Sequence, residues 1–347
     1  MKAAVFYGKG NIKIEERPIP KAGYGQAVIK MDYTGVCGTD IEAYKHEIIK
    51  PVIVLGHENV GTVYEIGEGV NNLKVGDKVL CGPPSYCKEA CFACKSGKPN
   101  ICVHGFGRTA GIGGPDGGYA EYMLVQDVEH TMIIKIPYNV KPEEAVLFDV
   151  ICVALHALRK SNFKFGDNVV ISGTGPIGIS LIQIAKAAGA RKVIAIGTNP
   201  KKFDLLKSYG ADECIDAKTC ENLAGEVRRL LGNEDGADVT FECAGNQNSV
   251  LNCIYHVAKN GSQVVLVGCP GEPMDKLILA MVAPREIDLI TSFVYTPEEI
   301  QMYLSMVADE KIKFPNMVTD IITLDDLVEK GIGRKNWEGQ LKILVKH

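Results

Sequence analysis

The 347 residues are 46% hydrophobic and 23% charged, and 38 basic against 42 acidic side chains leave a formal net charge of −4. That length exceeds the usual size of one hydrophobic core, so two domains are expected, and a near-neutral balance excludes bulk attraction to nucleic acid or anionic lipid. No apolar run approaches a membrane span and the start lacks the pattern of a secretory leader, so the expectation is a cytoplasmic protein whose twelve cysteines stay reduced.

Short alternating stretches broken by Gly and Pro fill the first 150 residues: KAAVF, QAVIKMDYTG, VGTVYEIGEGV and GDKVLC. They predict a mostly antiparallel, barrel-like β domain. Within it stand Cys37 and His57, followed by Cys87-x3-Cys91-x2-Cys94-x7-Cys102. Thiolates this dense on one loop can share a zinc in a closed tetrahedron, whereas a lone cysteine with a distant histidine suits a site that keeps a position open. Four free thiols on a polar loop would be an oxidation hazard without a metal. Cys37 and His57 taken singly are equally readable as a small buried hydrophobe and a satisfied histidine.

From about residue 161 the rhythm changes to alternating strand and helix, in DNVVISG, ISLIQIAKAAG, KVIAIG, KKFDLLKSYG, ADVTFECAG and SQVVLVG. Such units build a parallel sheet with helices on both faces. Leu181, Ile184, Ala185 and Ala188 recur at helical spacing and predict a core face, with Gly189 as a left-handed cap. Gly173-x-Gly175-x-x-Gly178, with Pro176 and Ile177 in its second gap, follows the run VVIS and opens that helix. In this context the first glycine permits a tight turn, the second lets backbone approach a pyrophosphate, and the third lets helix pack on strand. Free amides and the helix dipole then face the phosphates.

The second strand of this half ends in Gly197, Thr198, Asn199, Pro200, Lys201 and Lys202, with no carboxylate to hold the ribose hydroxyls of NAD. A 2′-phosphate fits beside Gly197 and can be met by Thr198, Asn199 and Lys202, so NADP is preferred over NAD. Val267, in SQVVLVG, is placed with the cofactor-binding residues. After about residue 285, strand-like IDLITSFVY and QLKILVK flank a helical PEEIQMYLSMVADE.

The segment Gly56-His57-Glu58-x2-Gly61-x5-Gly67-x2-Val70 is preceded by Gly35-Val-Cys37-Gly-Thr39-Asp40 and followed by Gly76-Asp77-Lys-Val79. Together with the cysteine lobe, Asp116-Gly-Gly-Tyr-Ala-Glu-Tyr122, the glycine loop and Glu338-Gly-x-Leu-Lys, it resembles the zinc-containing medium-chain alcohol dehydrogenase family over essentially the whole chain. Polyol, butanediol and threonine dehydrogenases are the nearest branches. The resemblance implies an α/β protein: a GroES-like β-barrel catalytic domain over 1–152, completed by 290–347, and a Rossmann doubly wound parallel sheet over 153–289.

It further implies a catalytic zinc held by Cys37 and His57, with Glu58 as the adjacent acid and Asp149 at the late acidic position, and a structural zinc on Cys87, Cys91, Cys94 and Cys102. Some members have Glu followed by Pro where this chain has Asp149-Val150, which leaves open whether Asp149 or Glu58 ligates directly. The first gap in the lobe is one residue longer than usual, so either that residue bulges outwards or Cys81 takes a place. Thr39 begins the proton path. Several polyol and threonine dehydrogenases carry a histidine where this chain has Glu42, a pattern similar to some glucose dehydrogenases, and His46 is a second candidate for the outer relay.

The expected activity is hydride transfer between a secondary alcohol, vicinal diol or sugar polyol and the nicotinamide, giving the ketone, in a homodimer or homotetramer. A zinc- and nucleotide-binding protein without turnover, and a dehydrogenase of aldoses or L-threonine, are the alternatives. A zinc-free reductase of the superfamily is disfavoured by both cysteine sets.

Overall fold

Asn168–Ser172 is buried at every position, the signature of a strand covered on both faces. The computed structural model describes residues 1–87, 90–269, 271 and 273–347. In chain order the first strands are β1 (Lys2–Gly8), β2 (Asn11–Glu16), β3 (Ala27–Gly35), β4 (Ile53–Val54), β5 (Glu58–Ile66), β6 (Lys78–Gly82), β7 (Tyr122–Val125) and β8 (Met132–Lys135). The parallel half supplies β9 (Asn168–Ser172), β10 (Lys192–Gly197), β11 (Glu213–Asp216), β12 (Ala237–Glu242), β13 (Ala258–Leu266) and β14 (Asp288–Thr291). The last two strands are β15 (Val318–Thr323) and β16 (Lys342–Lys346).

Two compact units result: Met1–Asp149 with Thr296–His347, and Val150–Tyr295. The first contains a three-stranded sheet, β2-β1-β4, and a seven-stranded sheet, β15-β16-β3-β5-β6-β8 with β7 added to β3. Its pairs are antiparallel except β15 with β16, so the expected barrel-like domain has one parallel rung. Its core is built on Ala4, Phe6, Leu55, Tyr119, Leu327 and Val345. Helix α1 (Gly38–His46) follows β3 directly and starts at Cys37 as N-cap, where Asp40 accepts a hydrogen bond from the Cys37 amide at 3.1 Å.

The second unit is a six-stranded parallel sheet in the order β11-β10-β9-β12-β13-β14. Relabelled along the unit this is 3-2-1-4-5-6, the doubly wound order that places ligands where strand order reverses, beyond the C-terminal ends of the strands. The stretch IDLITSFVY, expected with the returning strands, supplies the sixth rung through Asp288–Thr291. Leu181, Ile184 and Ala185 are buried on the helix Pro176–Ala187, but Ala188 is exposed. The helix stops one residue before it, so the periodic pattern ran past the element. Gly189 ends that helix at φ +95, as predicted for a left-handed cap. Among the described residues no helix is long and apolar enough to cross a membrane.

Candidate functional site

Cys37, the adjacent His57 and Glu58, and Asp149 come from three separate stretches, and each brings a ligand atom within 4.8 Å of all the others. Cys37 caps α1, His57 precedes β5, Glu58 opens β5, and Asp149 lies in the first turn of the helix Phe148–Lys160. His57, Glu58 and Asp149 are buried. A thiol, an imidazole and carboxylates at this spacing form a donor set suited to zinc. Glu58 Oε1 is shut off from solvent without a hydrogen-bond partner, which also fits a cation in their midst.

Around the four lies a layer of polar groups that composition and spacing left unread. Asp40 is fully buried, with Oδ1 3.5 Å from His57 Nδ1 and Oδ2 accepting from the Tyr119 hydroxyl at 2.9 Å. Tyr119 also donates to the Gly35 carbonyl at 3.2 Å. Asp40 therefore orients the ring and leaves Nε2 for a metal. Burial opposes charge on His57, but Asp40 and the Cys37 sulfur outweigh it and push its pKa well above the ordinary value. A divalent ion would satisfy the same demand for positive charge.

Lys342, on β16, is buried in an ion pair with Glu58 and donates to the Val36 carbonyl at 3.2 Å. The Glu58 carboxyl is raised to about 7: burial is the largest cause, Lys342 opposes it, and Asp149 adds to it. Asp40, Tyr119 and Lys342 all fall inside motif segments already quoted, CGTD, DGGYAEY and EGxLK. That was the only signal for them, since each reaches the site through the tertiary fold.

Thr39 is half-buried, its hydroxyl 3.7 Å from the Cys37 sulfur. Glu42 and His46 face each other one helical turn apart, 3.7 Å between Oε2 and Nε2, and both are more than half exposed. Solvent thus reaches both candidates for the outer relay.

The Cys87, Cys91, Cys94 and Cys102 sulfurs form a second group, with Cys87 to Cys94 at 3.7 Å and Cys91 to Cys102 at 3.9 Å. Sulfurs about 2.3 Å from a tetrahedral zinc stand about 3.8 Å apart, so the set fits a closed site and is too wide for disulfides. Hydrogen bonds from the Cys94 and Val103 amides draw Cys91 down to about 6, while burial lifts Cys94 to about 12. Four thiolates here need a cation. Of the first gap, 88–90, where an outward bulge is expected, residues 88 and 89 lie outside the described residues. Cys81 is buried in β6 among Val63, Leu73, Val79 and Met123 and is not one of the four.

In the second unit a cavity of about 890 Å³ opens at the strand ends, lined by Gly173, Thr174, Gly175, Gly197, Thr198 and Lys218 among others. Gly173 sits at φ +120, and a Cβ on Gly178 would lie 2.0 Å from the Gly173 carbonyl, so the loop closes only without side chains. A Cβ on Gly175 would meet nothing within 4 Å, which is the cradle a pyrophosphate requires. Pro176 and Ile177 begin the helix, half-buried. Asn199 uses its side chain to accept from the Lys201 amide, Lys202 Nζ points to the Thr174 carbonyl at 3.5 Å, and Val267 is buried beyond the end of β13. Lys218 was not foreseen, because it follows a different strand, β11.

The match to known families decides the identity of this arrangement. Residues 23–138 match the family model described as alcohol dehydrogenase GroES-like domain, and residues 176–309 match zinc-binding dehydrogenase. Sorbitol dehydrogenase of Bacillus subtilis is 30% identical over 99% of this chain and 97% of its own. The chain belongs to the zinc-containing medium-chain alcohol dehydrogenase family. It is a zinc-dependent oxidoreductase of the alcohol and polyol type. Mouse sorbitol dehydrogenase is 32% identical over 99% of this chain and 94% of its own, and D-xylulose reductase A of Aspergillus niger 31% over 93% and 90%. Among solved structures, a zinc-binding dehydrogenase of Sinorhizobium meliloti bound to NADP superposes with a TM-score of 0.90 at 30% identity, covering 100% of this chain and 99% of the other. The 2R,3R-butanediol dehydrogenase of Bacillus subtilis gives 0.87 at 29% identity, covering 100% and 99%.

Proposed function

We propose that this family member oxidises a secondary alcohol of the vicinal-diol or sugar-polyol kind to the ketone, with NADP preferred over NAD. One zinc serves the Cys37 site and one the four-cysteine site. The observation that carries the reading is the convergence of Cys37, His57, Glu58 and Asp149, backed by relatives that are sorbitol dehydrogenases and a D-xylulose reductase.

Bound at these residues, zinc would acidify an alcohol hydroxyl and the nicotinamide would accept the hydride. Cys37 and His57 provide the thiolate and imidazole that hold the ion, and Asp40 with Tyr119 keeps the ring in register. Asp149 or Glu58 completes the donor set. The Lys342 ammonium neutralises Glu58, so that two carboxylates and a thiolate do not leave an excess of buried negative charge. The Thr39 hydroxyl can accept the substrate proton and donate its own onward, and the exposed Glu42 and His46 stand on the same helix for the last transfer to solvent.

Support for NADP comes from the adenosine end. A side chain at Gly197 would meet the Thr174 methyl at 2.4 Å, so an acidic ribose clamp there would have to displace the Thr174 side chain, while Lys218 lines the cavity. Lys202 keeps a cation within reach. The edge strand β14 is mostly exposed, as are Leu279, Met281 and Leu289 around it, which supports a homodimer or homotetramer formed by edge pairing. The site of action is the cytoplasm, as expected for a thiol-rich chain.

Absorbance at the reduced nicotinamide band, with NADP and NAD separately, against polyols, vicinal diols, simple secondary alcohols, aldoses and L-threonine tests the reading. Turnover on a polyol or diol, stronger with NADP, is expected. A zinc-replete sample that binds dinucleotide yet reduces neither cofactor with any of these would favour the non-catalytic alternative.

A further inference from the structure

The wall of the dinucleotide cavity hides a charge that the chemistry above does not use. Strand β12 ends at Glu242, which is fully buried. Its Oε1 accepts from the amides of Ala244 at 2.9 Å and Gly245 at 3.0 Å, and its Oε2 lies 3.3 Å from the Gly245 amide. Burial raises its pKa, while Ser249 and the two amides pull it back. Among the described residues no lysine, arginine or histidine pairs with it. A buried carboxylate without a counter-cation is costly unless something else supplies the positive charge.

The turn it braces faces the ligand, since Cys243 and Ala244 line the cavity. Behind it the end of β13 closes in: the amides of Val267 and Gly268 both donate to the Glu242 carbonyl at 2.9 Å. A Cβ on Gly268 would lie 2.4 Å from the Gly245 nitrogen and 2.6 Å from Glu242 Oε2, so only glycine permits this junction. In the sheet order β11-β10-β9-β12-β13-β14, the pyrophosphate belongs over the β9 loop and the adenosine beside Gly197 of β10. The other half of the dinucleotide therefore falls over β12 and β13. That half is the nicotinamide, whose ring carries a positive charge when oxidised and none when reduced.

We propose that Glu242 is a positioning residue that braces the Cys243–Gly245 turn beneath the nicotinamide, and that its unpaired negative charge favours binding of the oxidised cofactor over the reduced. The proposal rests on the assignment of the second unit as the dinucleotide domain. At an effective dielectric of about 20, a unit charge acting across roughly 12 Å implies roughly a tenfold bias, and a shorter separation a larger one.

The test is the dissociation constants of oxidised and reduced NADP, by fluorescence titration, for the wild type, Glu242→Gln and Glu242→Asp, with melting temperatures to check folding. In Glu242→Gln the amide oxygen can still accept both N–H groups, so roughly tenfold loss for the oxidised form with the reduced form nearly unchanged is expected. Glu242→Asp keeps the charge on a shorter arm, so both forms weaken and their ratio stays. Equal weakening of both forms in Glu242→Gln, or no change in either, overturns the proposal. If Glu242→Gln does not fold, Glu242→Asp decides alone: a preserved ratio supports the proposal and a lost one sinks it. A folded wild type that binds neither dinucleotide would overturn the underlying assignment, and the proposal with it.

Discussion

The two metal clusters are assembled in opposite ways. The four-cysteine set is local, its ligands falling between residues 87 and 102, with Cys91 capping the short helix Phe92–Lys95 and Cys102 ending a 3-10 turn. The Cys37 set is drawn from the start of α1, the start of β5 and the helix at Phe148, and it leans on Lys342 near the other end of the chain. A local cluster of like ligands can close around an ion and tie a loop down. A mixed cluster built from distant strands depends on the whole fold, and in return can hold unlike groups at fixed positions around a reacting atom.

That contrast predicts separable effects. Cys37→Ser should lower turnover by roughly a thousandfold or more, since the lost metal chemistry supplies several kcal/mol, while NADP affinity and melting temperature hardly move. Full activity in that variant would remove the open site from the chemistry altogether. Thr39→Val should reduce kcat by about a hundredfold with little change in zinc content, and Thr39→Ser should restore most of it, because only the hydroxyl is needed. If Thr39→Val keeps its kcat, the proton leaves by another route.

Cys94→Ser lies on the other side of the comparison. It should cost one zinc per chain and lower the melting temperature by about 10 °C, leaving kcat per folded molecule close to wild type. A variant that kept its stability but lost kcat would reverse the two roles.

The smallest effect concerns the strands beneath the open site, where His347 meets the Thr34 hydroxyl at 3.1 Å and its Nδ1 is shut off from solvent. Burial holds its pKa down at about 4 against an ordinary 6.5. The unfolded chain therefore binds the proton first: the stability is in place above 6.5 and is lost as pH falls towards 4. Urea unfolding should show about 1 kcal/mol less stability at pH 5.5 than at pH 7 from this group alone. His347→Gln should flatten that slope, and an unchanged slope would assign it to other groups.

Legibility followed the same division. The cysteine lobe and the Gly173–Gly178 loop were readable because their chemistry needs close sequence spacing, and strand before with helix after identified the loop. The parallel sheet was readable from continuous apolar runs; what slipped was its sixth strand, Asp288–Thr291, expected with the returning strands, and element edges, as at Ala188, where apolar character continued beyond the last helical turn. Cys37, His57 and Asp149 could be joined only by family likeness, since no spacing reveals that three distant stretches converge. Asp40, Tyr119, Lys342, Lys218 and Glu242 were not read from the sequence. Each acts through the carboxylate, ring or backbone it touches in the folded chain, and a single sequence carries no periodicity for such contacts.

The central claim is that one cluster performs chemistry and the other holds structure. Dialysis of the wild type against a chelator, with zinc per chain, turnover and melting temperature followed on the same aliquots, tests it most directly. Two zincs per chain at the outset, turnover falling with one and melting temperature with the other, is the predicted result. A single zinc per chain, or turnover and stability falling together with the same ion, would contradict it.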